Sequence, residues 1–175
     1  MERFATEVVN LAQQTIHGLW KNANDRTIAK DIPTLSGSYY RAVGLSKGTV
    51  FPFFVLSRNY REQTGDFELL IGGAVPREGL AHLTLAAGDY VRMVVHPKLG
   101  FLWGPAIGEA KRWFYTQWLP KSRYAVCNLE YEYHTEASAG KHPVVELYFA
   151  VEEKETGAQK VAGPIEEGEE SGWIY

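Results

Sequence analysis

Trp118-Leu119-Pro120-Lys121-Ser122-Arg123-Tyr124 is the stretch on which the fold turns. Before it, Trp103, Ile107, Ala110, Phe114 and Trp118 recur at three- and four-residue intervals, widened by Ala106 and Trp113, with Glu109, Arg112 and Thr116 opposite. That spacing predicts an amphipathic helix from about Gly104 to Leu119, entered at Trp103 with Pro105 early. Pro120 stops it, because proline lacks the N–H that would continue the ladder. One turn follows, and from Tyr124 to His134 the side chains alternate with the period of a strand. A loop over 135–142 and a second alternating run, Val144 to Glu152, close the unit. Leu80 to Val95, extended and interrupted at Gly88, precedes the helix.

The same order occurs upstream. Residues 6–20 read as one extended segment with Val9, Leu11 and Leu19 at odd positions, and Asn22-Ala23-Asn24-Asp25 is turn chemistry. A helix is expected from Asp31 to Ala42, with Pro33 in its first turn and Ile32, Leu35 and Tyr39 on one face. After Gly44 and Gly48, Thr49 to Arg58 reads as a strand, Gln63-Thr64-Gly65-Asp66 as a hairpin loop and Phe67 to Val75 as the return strand. The two closing strands look alike: Phe67-Glu68-Leu69-Leu70 beside Val145-Glu146-Leu147-Tyr148, each followed by Ala-Val (Ala74-Val75, Ala150-Val151). An internal duplication outweighs any single propensity. The expected fold is α+β: two β-α-β-β modules with pseudo-twofold symmetry, antiparallel sheets, two main helices and a cleft between the halves. The first repeat covers about 5–76 and the second about 80–153. Residues 154–175 form an acidic tail with Glu166, Glu167, Glu169 and Glu170, expected to be loosely ordered and ending in Trp173-Ile174-Tyr175.

Composition sets the outer limits. A chain of 175 residues can bury a real core, and a net charge of −3 gives no general attraction to nucleic acid. Uncharged apolar runs fall short of a bilayer span, and Met1-Glu2-Arg3 does not open a secretion signal. With a single cysteine, Cys127, no internal disulfide forms, and a cytoplasmic location is expected. Aromatics reach 13 % of the chain, and such residues gather at binding surfaces as well as in cores.

Alternation sorts the last two strands into faces. Ala125, Cys127, Leu129, Tyr131 and Tyr133 share one side, and Val126, Asn128, Glu130 and Glu132 the other. In the partner strand Val145, Leu147, Phe149 and Val151 oppose Glu146, Tyr148 and Ala150. If both apolar faces pack on the second helix, then Glu130, Glu132, Glu146 and Tyr148 lie together on the remaining face. Periodicity alone equally describes an ordinary half-buried hairpin with a wet outer side.

In sequence order, these pieces resemble the GyrI-like effector-binding domains of AraC- and MerR-type regulators, here in a stand-alone form. Asp31-Ile32-Pro33-Thr34-Leu35 with Tyr39-Tyr40 looks like the family's Ile-Pro-x-Leu-Trp…Phe helix, and Gly88-Asp89-Tyr90-Val91 like its Gly-x-Tyr strand. Trp118 to Tyr124 is similar to its Trp-Leu-Pro-x-Ser-x-Tyr helix end. Tyr131-Glu132-Tyr133 and Val145-Glu146-Leu147-Tyr148 resemble its two acidic strands, although Glu130-Tyr131 fits the first almost as well. The resemblance implies a multidrug-type module that binds amphipathic, cationic small molecules in an aromatic cleft with a central carboxylate. It implies Glu146 in that role and Glu132 or Glu130 second, with Tyr148, Tyr90, Trp103, Trp113 and Tyr39 as walls. The family's first-helix Trp is Ser36 here, for which Trp20 is a candidate replacement. A buried carboxylate of this kind is expected to have a raised pKa when the cleft is empty.

Other classes rank lower. Some members inhibit DNA gyrase, which makes gyrase or another protein a second partner class. Some members of the fold group are hydrolases, but no nucleophile–base pair is visible here, so an enzyme ranks last. Gly44-Leu45-Ser46-Lys47-Gly48 matches a nucleophile-elbow string, but a helix enters it and a strand leaves, the reverse of what that turn needs. His17, His82, His96, His134 and His142 have no metal-ligand spacing, Cys127 reads as a small hydrophobe, and no phosphate-binding fingerprint occurs. No cofactor, metal, membrane or direct nucleic-acid partner is expected.

Overall fold

A computed structural model describes residues 3–155; the acidic tail and Trp173-Ile174-Tyr175 lie outside the described residues. Eight strands and two main helices follow in the order β1 (Thr6–Leu11), β2 (Gln14–Asn24), α1 (Ile28–Ala42), β3 (Phe53–Arg61), β4 (Asp66–Gly73), β5 (Ala81–Leu85), β6 (Gly88–Val95), α2 (Trp103–Trp113), β7 (Tyr124–His134) and β8 (Val145–Glu153). The strands form one antiparallel sheet in the order β1-β6-β8-β7-β3-β4-β2-β5. The α+β class therefore holds. In that order β2-α1-β3-β4 and β6-α2-β7-β8 occupy matching positions about the central β7–β3 pair.

The sheet must curl. β1 lies at one end and β2 one strand from the other, six strand spacings or about 29 Å apart in a flat sheet. Only Ala12 and Gln13 join them, a link that spans at most about 11 Å. The sheet accordingly bends into a half-barrel and buries both of its faces. The expected single extended segment over 6–20 is thus two strands, broken where the chain crosses between the sheet's ends.

Both helices sit on the outer side of this curl. α2 and the turns after it cover a core of Val91, Met93, Val95, Ile107, Ala110, Phe114, Val145, Leu147, Phe149 and Val151. Phe114 is its centre, with its ring centroid 3.8 Å from that of Phe149. α1 covers a second core of Leu35, Tyr39, Phe53, Val55, Phe67, Leu69 and Ile71. A third core fills the inside of the curl and draws on strands alone: Ile16, Phe54, Leu56, Leu70, Leu85, Tyr90 and Tyr131.

Local differences from expectation have local causes. α1 begins at Ile28, so Pro33 lies inside the helix and not in its first turn. The second helix is α-helical only to Trp113 and continues as a π-helical turn, Phe114–Trp118, and a short 3₁₀ turn, Leu119–Lys121, which absorb Pro120. Cys127 is exposed, not packed as a small hydrophobe, because β7 bulges between Val126 and Glu130 around Asn128, whose φ is 52°.

Candidate functional site

The register of β7 decides which side chains meet. Glu130 lies opposite Phe149, Tyr131 opposite Tyr148, Glu132 opposite Leu147 and Tyr133 opposite Glu146. Directly opposed residues in an antiparallel pair share a face. Glu130 and Glu132 therefore share the helix side with Leu147 and Phe149, and Glu146 and Tyr148 share the inside of the curl with Tyr131 and Tyr133. The expected quartet of Glu130, Glu132, Glu146 and Tyr148 on one face does not form. The division of β7 into two faces holds, but α2 packs over the acidic one. Apolar alternation could not show this, because a sheet buried on both faces offers two cores to choose between.

On the inner face the aromatic rings pack on one another, with Glu146 at 23 % side-chain exposure beside them. Tyr131 and Tyr148 stack, Tyr133 stands edge-on to Tyr148 at 6.1 Å, and Phe54 packs on both Tyr131 and Tyr133. Tyr90 is buried there and donates its hydroxyl to the Ala86 carbonyl at 2.9 Å. Glu146 accepts from Arg92 Nε at 3.0 Å and from the Tyr148 hydroxyl at 2.7 Å. Burial alone would raise its pKa, but the Arg92 and Tyr148 hydrogen bonds outweigh that and hold the carboxyl below its ordinary value. The expected raised pKa at Glu146 is thereby overturned: its counter-charge is already in place. Arg92 also pairs with Glu7. Trp20 belongs to this inner face, under the Arg58 guanidinium at 4.2 Å, and so cannot stand in for an aromatic wall on α1.

The outer face holds a different arrangement. α1 rests on β2 and β4, and α2 on β6, so the central strands β3 and β7 form the floor of a seam between the helices. Register places Ser57, Val55 and Phe53 of β3 beside Glu130, Glu132 and His134 of β7 on this floor. Rings cross it from one helix to the other. Tyr40 of α1 packs on Phe53 at 5.6 Å, Phe53 on the His134 imidazole at 5.8 Å, and His134 on Trp103 of α2 at 6.2 Å. Tyr39 lies 6.0 Å from Phe53, and both rings belong to the buried core under α1. Trp113 points to the other flank of α2, against Phe4 at 5.5 Å.

Two carboxylates stand on this floor, with side-chain exposures of 20 % for Glu130 and 12 % for Glu132. Glu132 bonds His134 Nε2 at 3.0 Å. Glu130 receives Lys111 Nζ at 3.1 Å on one oxygen and the Tyr115 hydroxyl at 3.2 Å on the other. Lys111 and Tyr115 are four residues apart, where the α-helix passes into its π-helical turn, and so reach the floor from one flank. Burial works against the charge on Lys111, but Glu130 and Glu132 more than offset it and hold the ammonium above its usual pKa. Burial, reinforced by the Glu130 charge, likewise pushes the Tyr115 phenol up. The floor thus brings together two carboxylates, one ammonium and the His134 imidazole.

Of the residues singled out from sequence, the seam brings together Glu130, Glu132 and Trp103. Glu146, Tyr148, Tyr90 and Trp20 lie on the inner face, and Trp113 and Tyr39 lie outside both arrangements. Sequence reading missed Lys111, Tyr115, His134, Phe53 and Tyr40. One signal for Lys111 was present: it falls at the next four-residue step after Trp103 and Ile107, a polar residue on an apolar stripe.

A separate depression of about 800 Å³ lies on the opposite flank of α2, lined by Arg3, Lys98, Glu109, Arg112 and Trp113 among others. Glu109, its carboxylate, is already paired with Arg3 and Lys98, and the surplus of positive charge disfavours a cationic guest. Among the described residues no group of His, Cys, Asp or Glu is arranged to hold a metal, and no helix is long and apolar enough to cross a membrane.

No family model and no curated protein matches the chain. Solved structures do. An integron cassette protein from Vibrio cholerae superposes with a TM-score of 0.63 at 14 % identity, covering 85 % of this chain and 97 % of that one. SAV2435 bound to tetraphenylphosphonium gives 0.64 at 14 % identity, over 85 % and 94 % of the two chains. The C-terminal domain of EcmrR gives 0.55 at 15 % identity, over 87 % of this chain and all of the other. At such identities the likeness is one of fold.

Proposed function

We propose that this chain is a GyrI-like effector-binding domain that captures amphipathic, cationic small molecules in the seam between α1 and α2. The fold shared with the EcmrR C-terminal domain and with a tetraphenylphosphonium-bound protein supports the class of module. The observation that carries the location is the pair Glu130 and Glu132, partly exposed on a floor crossed by Tyr40, Phe53, His134 and Trp103. Aromatic faces hold a flat apolar body and attract a cation by about 0.5–2 kcal/mol per ring. Carboxylates at their base add a charge preference that does not depend on detailed shape. In this reading Glu132 takes the central place in preference to Glu146, because two guanidinium donors of Arg92 bind Glu146, whereas the partner of Glu132 is the His134 imidazole.

In this assignment residues 1–153 are one effector-binding domain, with the repeats at about 5–76 and 80–153 supplying one helix each to the seam. Titrating the protein with tetraphenylphosphonium while following Trp fluorescence tests it, because Trp103 lies in the seam. Saturable quenching that weakens in Glu132→Gln is the expected result. No change in fluorescence or in melting temperature at millimolar ligand would sink the reading.

A further inference from the structure

Each of the two seam carboxylates meets a basic side chain of this chain, Glu130 through Lys111 and Glu132 through His134. Among the described residues Lys111 is the one ammonium on the floor, reaching Glu130 from α2 with its own side chain 29 % exposed. Its partner oxygen is shared with no other donor, while Tyr115 occupies the second oxygen of the same carboxylate. A primary ammonium at hydrogen-bonding distance from Glu130 occupies the place that a small cationic guest would take.

We propose that Lys111 is a tethered competitor: it fills the cation position of the empty seam and must swing out for a guest to bind. This rests on the functional reading above. A tethered group competes at an effective concentration on the order of millimolar, set by its tether and not by its abundance. Lysine is suited to the exchange, having a flexible four-carbon stem and strong hydration that welcomes the released head into water. Its stem emerges from the partly exposed flank of α2, so the ammonium can leave without moving the helix.

The competitor also defines the guest. A primary amine, such as a polyamine, replaces one ammonium by another and gains little from the carboxylate. A delocalised, weakly hydrated cation carrying aromatic groups loses less hydration on entry and adds contact with the partly exposed Trp103 and Tyr40, which Lys111 does not use. Within the cationic ligand class already proposed, Lys111 sets an affinity threshold that excludes simple amines.

Selective labelling of lysines with acetic anhydride, read by peptide mass spectrometry, tests the exchange in the wild-type protein. Adding tetraphenylphosphonium is expected to increase acetylation of Lys111 while Lys21 and Lys47 stay constant as internal references. Unchanged or reduced labelling at saturating ligand means that guest and lysine occupy the seam together, and overturns the exchange while leaving the binding function standing. In parallel, Lys111→Met is expected to bind tetraphenylphosphonium roughly tenfold more tightly and to gain measurable affinity for spermidine. Binding by the variant alone would mean that the tether closes the site in the wild type, in support. Equal affinities in the two proteins would overturn the competitor, and no binding by either would overturn both it and the functional reading.

Discussion

Tyr131 and Tyr148 stack nearly parallel, centroids 5.0 Å apart and planes 15° apart, on the sheet face turned away from both helices. That one pairing sends Glu146 inward with Tyr148 and Glu132 outward with the helices, and it separates two acidic positions that strand alternation alone left together. The separation can be measured. Glu132→Gln is expected to weaken tetraphenylphosphonium binding by roughly tenfold or more, equivalent to at least ~1.4 kcal/mol. Glu146→Gln is expected to change it by less than about twofold, since Arg92 already holds that carboxylate. Fluorescence titration of both variants checks this, and the reverse order would place the ligand inside the curl.

Glu146 contributes to stability instead. Its folded-state pKa is depressed by Arg92 and Tyr148, so its contribution is present above the unfolded carboxyl pKa and is lost as pH falls through the folded value. Glu146→Gln should therefore cost about 1–3 kcal/mol at pH 7, the range for a charge-assisted hydrogen bond. The difference from wild type should shrink on acidification below the ordinary glutamate range. Urea denaturation at pH 7 and near pH 3 reads both values. A gap that persists at low pH would show that packing, not charge, is responsible.

Gly18 and Gly72 face each other across β2 and β4, and a Cβ on Gly18 would collide with the Ile71 carbonyl oxygen. Backbone cannot yield as a flexible side chain would, so Gly18→Ala must push the two strands apart where the sheet curls. A loss of several kcal/mol or failure to fold is expected, on the scale of ~1–3 kcal/mol for overpacking and more where backbone is the obstacle. Thermal melting decides it. An unchanged melting temperature would mean that the curl is more compliant than its close approach suggests.

Phe114 stacks on Phe149 and is fully buried at the point where α2 changes to its π-helical turn. Phe114→Ala should cost about 3–5 kcal/mol, as for other buried aromatic truncations. Phe114→Leu keeps most of the volume and should cost less than half as much. Comparing the two denaturation midpoints separates burial from ring stacking.

Much of the molecule was legible from residue order. The period of Trp103, Ile107, Ala110 and Phe114 announced α2 and its buried stripe, Pro120 marked the close of the π-helical and 3₁₀ turns that follow α2 and not the end of α2 itself, and the limits of β7 were read directly from alternation between Tyr124 and His134. These are local properties: a side chain's direction follows from its place in a helix or strand. The recurrence of the strand-helix-strand-strand order likewise foretold a sheet with a helix over each half.

Tertiary structure alone decided which side of that sheet each helix would take. Curling buries both faces, so the apolar side of β7 found its core inside the curl and its acidic side came to rest under α2. The counter-charge on Glu146 was hidden for the same reason, because Arg92 sits 54 residues away in sequence and meets it only through the pairing of β6 with β8. Lys111 and Trp103 come from α2 and Glu130 and Glu132 from β7, and their meeting depends on how α2 lies beside the central strands. Periodicity records how a residue relates to its neighbours along the chain; which opposite-facing cores the sheet then builds is set by long-range closure, to which no local pattern refers.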